Sequence, residues 1–155
     1  MSSGKKNLEN LARAGQLAAE PTSATEIGGL LKSAGGQLRD SRVPQLSASG
    51  KFLLAYGAAH ALALVALRAE GYRPAASRGH RKIVFQALEF TAGIPRDLWL
   101  MLDRYHDRRN ATEYDGAPPA SDTEAQDMVE LAGALSDRVN AWLKRAHPAL
   151  LSQSK

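Results

Sequence analysis

From Arg104 to Gly116 the chain reads Arg-Tyr-His-Asp-Arg-Arg-Asn-Ala-Thr-Glu-Tyr-Asp-Gly, a run that concentrates side chains able to grip a phosphate or carry a proton. The guanidinium groups of Arg104, Arg108 and Arg109 present planar forks of N–H donors that match phosphate and carboxylate oxygens. His106 supplies an imidazole whose ordinary pKa, about 6.5, suits proton transfer at neutral pH; the Tyr114 phenol, at about 10, is a poorer base. At helical spacing His106, Arg109, Asn110 and Glu113 fall on neighbouring faces, and Arg109 and Glu113 are placed to pair across one turn. The bland alternative is a solvated helix end laced with weak ion pairs. A second basic group, Arg73, Arg78, Arg81 and Lys82, surrounds His80, which opens another helix.

Several chemistries are excluded. The 155 residues contain no Cys, which removes disulfides, thiol nucleophiles and thiolate metal sites. The Glu-x-x-His spacing from which helical bundles build di-iron centres is absent, so neither metal nor cofactor is expected. Gly28-Gly29 and Gly35-Gly36 lie in a predicted helix rather than after a strand, so they make no phosphate loop; their spacing predicts close approach of a neighbouring helix. His60 falls on an apolar stripe and reads as a hydrogen-bonded core histidine, and His147 as incidental.

The elements that must position the cluster follow from caps and periodicity. The composition, 44% hydrophobic but only 6% aromatic, favours packed helices over a sandwich, and the length favours one core. A helix is predicted from about Lys6 to Glu20, sparse in apolar residues and ended by Pro21. A second opens at a Ser23–Glu26 capping box and runs to about Ser41. The central helix runs from about Ser49 to Glu70 and is capped by Ser47, with Gly71 and Pro74 closing it. Further helices are predicted from about His80 to Thr91, from Pro95 into the polar run with Leu98, Trp99, Met101, Leu102 and Tyr105 as its buried stripe, and from a Ser121–Glu124 capping box to about Ala146. Trp99, Trp142, Tyr56 and Phe85 read as core. These elements predict an all-α, up-and-down bundle of four to five main helices over residues 22–147, with a weakly ordered or peripheral helix over 1–21 and a loose tail over 148–155.

The longest apolar stretch, Phe52 to Leu67, is broken by Tyr56, Gly57 and His60 and falls short of the roughly 20 residues a membrane span needs. Met1 to Gly15 holds no apolar run of the signal-peptide kind, so a cytoplasmic chain without membrane contact is the expectation. A formal charge of +4 assists encounter with phosphate polymers.

Arg109-Asn110 followed by Tyr114, at a helix end ahead of a loop, resembles the HEPN family of small helical bundles. That family is marked by an Arg followed four to six residues later by His, commonly with Asn or Asp directly after the Arg and a Tyr nearby. The likeness extends to bacterial members reading Arg-Asn, two or three variable residues, an acidic residue, Tyr, Asp or Glu, then Gly, and to the phrase Gly71-Tyr72-Arg73 followed by Gly79-His80. It covers about residues 23 to 146. Here Tyr114 stands where the ribonuclease members carry His, which departs from the catalytic pattern. The resemblance implies a homodimer with Arg109 clefts meeting at the interface, an RNA or nucleotide ligand, and an antitoxin or nucleotidyltransferase-like protein partner.

Three functional readings follow. The first is a noncatalytic HEPN-like module that binds a nucleotide, nucleic acid or protein partner, with Arg104, Arg108, Arg109 and Asn110 gripping an anion, Glu113 and His80 alongside, and Tyr114 capping it. The second is a metal-independent endoribonuclease in which Arg109 stabilises the phosphate and Tyr114, His106 or His80 handles the proton. The third is a structural or dimerisation bundle.

Overall fold

The most apolar helix becomes the axis of the molecule. In the computed structural model, which describes residues 3–75 and 80–151 except for the side chains of Ser3, His80 and Arg81, the axis is α3, Ala48–Ala69. Ser47 Oγ accepts the Gly50 N–H at 3.1 Å, satisfying one of the free amides at its start. Its alanines Ala55, Ala58, Ala59, Ala63 and Ala66 are fully buried. Small side chains there let α2 (Ala24–Ser41) and α6 (Asp122–Ala146) both lie along it. By length and composition α3 is apolar enough to cross a bilayer, contrary to the sequence expectation, but most of that surface is covered by its neighbours. Burying Leu62, Val65 and Leu67 contributes about 1.5–3 kcal/mol each.

The chain is an all-α bundle, with six α-helices and one small two-stranded ribbon among the described residues. The α2–α3 hairpin follows from its short connection: Glu26 at the start of α2 meets Arg68 at the end of α3. On α6, Met128, Leu131, Leu135, Val139, Trp142 and Leu143 are buried as the periodicity predicts, and the Ser121–Glu124 capping box is formed. The C-terminal ends of α3 and α6 meet, where His147 Nε2 lies 3.0 Å from Glu70 Oε2. Thus His147 is a clasp rather than incidental.

The predicted first helix is corrected. It stops as α1, Ser3–Arg13, because Gly15 takes φ +80 and the amides of Gly15 and Gln16 turn back to the carbonyls of Ala12 and Leu11. Leu17–Ala19 then forms β1, antiparallel to β2, Tyr72–Pro74. The segment is docked, with Leu8 and Leu17 in the core. A Cβ on Gly4 would stand 2.6 Å from the Phe90 carbonyl oxygen, so α1 abuts the backbone at Phe90 closely.

Arg68, 3% exposed, closes the ribbon. It binds both Glu26 oxygens at 3.0–3.3 Å and donates to the carbonyls of Glu20, Pro21 and Tyr72 at 3.0, 2.8 and 3.0 Å. This revises the first capping box. Ser23 Oγ does accept the Glu26 N–H, but the Glu26 carboxylate engages Arg68 and Thr22. The glycines of α2 are also read differently, because among the described residues a Cβ on Gly28, Gly29 or Gly35 would meet nothing within 4 Å and no helix approaches there.

The predicted fourth helix is α4, His80–Gln86, continued as a 3₁₀ turn over Ala87–Glu89. Gly93, at φ +68, turns the chain into α5, Arg96–Tyr114. Of the predicted stripe on α5 only Leu102 is fully buried; Met101 is 41% exposed, and Trp99 sits at the surface, donating its indole N–H to Glu89 at 2.8 Å beneath Arg96. After α6, Pro148–Leu151 forms a 3₁₀ turn whose Leu150 and Leu151 pack on the core, so this part of the expected tail is seated.

Candidate functional site

The polar run lies on the last turns of α5, and its alternation around the helix divides it between two surfaces. Arg109 points to a cleft of about 380 Å³ between α2 and α3, whose walls include Leu30, Gln37, Leu53, Tyr56, His60 and Leu64. Its side chain is 17% exposed and pairs with Glu113 at 3.3 Å, the contact expected from four-residue spacing. The guanidinium carbon stands 5.5 Å from the centre of the Tyr56 ring and 5.9 Å from that of Tyr114. Two aromatic faces therefore support the cation without neutralising it. Tyr114 itself is 71% exposed at the rim.

Arg108 takes the opposite course. It donates to Glu124 at 2.7 and 3.0 Å, to Thr112 at 2.8 Å, and to the carbonyls of Pro118 and Pro119 at 2.8 and 3.2 Å. With every nitrogen engaged, it fastens the α5–α6 loop. The Glu124 carboxyl is pulled down to about 2, chiefly by the Arg108 hydrogen bonds and then by the Ser121 amide. Arg104 shares a separate depression of about 340 Å³ with Met101, Tyr105, Arg108 and Glu124. Arg104 and Arg108 therefore do not join Arg109, as the sequence reading expected. The side chain of His80 lies outside the described residues.

The three-residue spacing puts His106 beside Arg109, at the cleft or on a solvated helix end; in the fold it is 6% exposed, behind the cleft. Its Nδ1 is 2.8 Å from Tyr56 Oη and its Nε2 is 3.2 Å from Asn110 Nδ2. Asn110 Oδ1 in turn accepts from Arg109 Nη1 at 3.3 Å. Burial pushes the imidazole below its ordinary pKa, outweighing the opposite pull of Asp107. Lys82 from α4 bridges to Asp107 at 3.0 Å and to Asp103 at 3.8 Å, so part of the second basic group is tied to α5. Arg73 pairs with Glu20 at 3.4 Å, and Arg78 lies outside the described residues.

The arrangement brings together His106, Arg109, Asn110, Glu113 and Tyr114, and adds three residues that the sequence reading missed as site residues. Tyr56 and His60 interrupt an apolar stripe, which was their signal; Gln37 gave none. The Gln37 carboxamide lies against Gly57, where a Cβ would be 3.0 Å from its Oε1, and that oxygen is buried with no hydrogen-bond partner. Chemically the cleft offers one cation, one carboxylate and an apolar floor. The His106 imidazole is not among the residues that line it, whereas that of His60 is.

Compared with protein-family models, with curated proteins and with solved structures, the chain finds no match.

Proposed function

We propose that the chain is a noncatalytic, HEPN-like binding module whose Arg109 cleft takes a nucleotide. The observation that carries this reading is the separation of Arg109 from His106, the proton carrier that the sequence places on the same helix turn. Arg109 faces the cleft, whereas His106 is buried with both ring nitrogens engaged and its basicity lowered. A base must reach the proton it removes, within about 2.6–3.2 Å or through one water. A cleft of about 380 Å³ falls in the range of small-molecule sites, and a guanidinium beside apolar walls suits a phosphate attached to a flat base. Glu113 leaves the lining with one cation and one anion, which favours a mononucleotide over a long phosphate polymer. A homodimer, a cytoplasmic setting and an antitoxin or nucleotidyltransferase-like partner belong to the same proposal.

The test is calorimetric titration of the purified protein with AMP and GMP, repeated with Arg109→Ala checked for folding by circular dichroism. Affinity lost in the variant supports the reading; equal affinity removes its central residue. Incubation with total RNA in EDTA is the companion measurement. Cleavage by the wild type that disappears in Arg109→Ala would replace the binding module with a metal-independent ribonuclease.

A further inference from the structure

The hydrogen bonds behind the cleft admit one assignment of protons. Arg109 can only donate, so the Asn110 atom 3.3 Å from its Nη1 is the carbonyl oxygen Oδ1. The amide nitrogen Nδ2 then faces His106 at 3.2 Å and makes Nε2 an acceptor. A neutral ring with a bare Nε2 carries its proton on Nδ1, which donates to Tyr56 Oη at 2.8 Å. The chain runs Arg109, Asn110, His106, Tyr56, with each link setting the next.

Adding a proton to His106 breaks this order at one place. Nε2–H would point at the N–H of Asn110, donor against donor. The acceptor on that side chain is Oδ1, so half a turn of the carboxamide satisfies the imidazolium and withdraws Oδ1 from Arg109. The guanidinium keeps Glu113 and its place over Tyr56, but Nη1 is released toward the cleft.

We propose that Asn110 is a two-position switch that couples protonation of His106 to the release of Arg109. The groups facing His106 are Tyr56 on α3, Lys82 on α4, and Asp103, Asp107, Arg109 and Asn110 on α5. Lys82 draws one oxygen of each acid toward α4, and the side chain that stands at Nε2 is Asn110. Burial of the ring keeps the neutral form in place near neutrality. Coupling is reciprocal: an anion that draws Nη1 from Asn110 makes His106 a better base. This last consequence rests on the reading of the cleft as an anion site; the switch itself does not.

The experiment is nitrogen-15 NMR of the whole chain across pH 5 to 8, following the His106 ring nitrogens and the Arg109 side-chain N–H. The expected result is the Nδ1–H tautomer at high pH and an Arg109 signal that moves with the His106 midpoint, a step that shrinks in Asn110→Ala. An Nε2–H tautomer, or an Arg109 signal indifferent to His106, overturns the switch whether or not an anion binds. Sulfate, which does not titrate in this range, is the ligand probe. Its affinity should rise about fivefold between pH 7.5 and 5.5, and the rise should be smaller in His106→Gln, in which His60 of the cleft wall is unchanged. Equal affinity at both pH values counts against the switch. Absence of sulfate binding with the NMR step intact upholds the switch and counts against the anion site.

Discussion

Arg108 and Arg109 are neighbours in sequence with opposite duties, and replacing each by Ala separates them. In Arg108→Ala the Glu124 carboxylate, the Thr112 hydroxyl and the carbonyls of Pro118 and Pro119 lose their shared donor. The depression of Glu124 from 4.5 to about 2 corresponds to roughly 3 kcal/mol at full value. The side chains are 24% and 35% exposed and Ser121 supplies part of the effect, so solvent screening reduces the share of Arg108 to about 1–1.5 kcal/mol. The two carbonyls regain water and add about 0.5 kcal/mol. A total near 2 kcal/mol lowers Tm by about 4–8 °C in a chain of this size. Because the folded pKa of Glu124 lies below its unfolded value, its contribution is complete above about 4.5 and lost as pH falls through about 2. The difference between wild type and variant in urea should therefore narrow on acidification from pH 4.5. Nucleotide binding should be unchanged, since Arg108 does not line the cleft. A difference at pH 7 below about 0.5 kcal/mol, or one constant down to pH 3, refutes the reasoning.

Further outcomes are expected for five other variants. Arg68→Met should cost about 2–4 kcal/mol by urea denaturation, since three carbonyls and two carboxylates lose one buried donor; a loss under 1 kcal/mol would mean the ribbon is held otherwise. Gly4→Ala should destabilise by about 1–3 kcal/mol through the Phe90 carbonyl, whereas Gly35→Ala, in open space on α2, should stabilise by about 0.5–1 kcal/mol. Gly57→Ala should leave Tm within a few degrees, because Gln37 can swing aside, yet weaken nucleotide binding about tenfold as that side chain enters the cleft; unchanged affinity would place the ligand elsewhere. The lowered pKa of His106 makes its contribution complete above about 6.5 and lost as pH falls through the folded value, so wild type should lose stability below pH 6.5 more steeply than His106→Gln.

What the sequence revealed was what short-range chemistry decides. The Ser47 and Ser121 caps, the turn at Gly71 and the buried stripe of α6 depend on residues within a few positions, and all are present in the fold. Leu17-Ala18-Ala19 has no strand signature of its own and becomes one by pairing with Tyr72–Pro74, far along the chain. The site divides in the same way. The Arg109–Glu113 pair is a property of one helix, but the burial of His106 comes from Tyr56, fifty residues away, and could not be read from α5. Adjacent helix residues differ in direction by about 100°, and the spacing of Arg108 and Arg109 could not say which of them would meet the cleft.

The β1–β2 ribbon sets an order of events during synthesis. Leu17 pairs with Pro74, so 57 residues must be added after Leu17 before its partner exists. At about 5–20 residues per second this takes about 3–11 seconds. Through that interval α1 and β1 wait without their docking surface, since Phe90, against which Gly4 rests, comes later still. Their thin apolar content, three leucines among Lys5, Lys6, Asn7, Glu9 and Asn10, then has a use of its own: a segment that must wait exposes little for other nascent chains to capture.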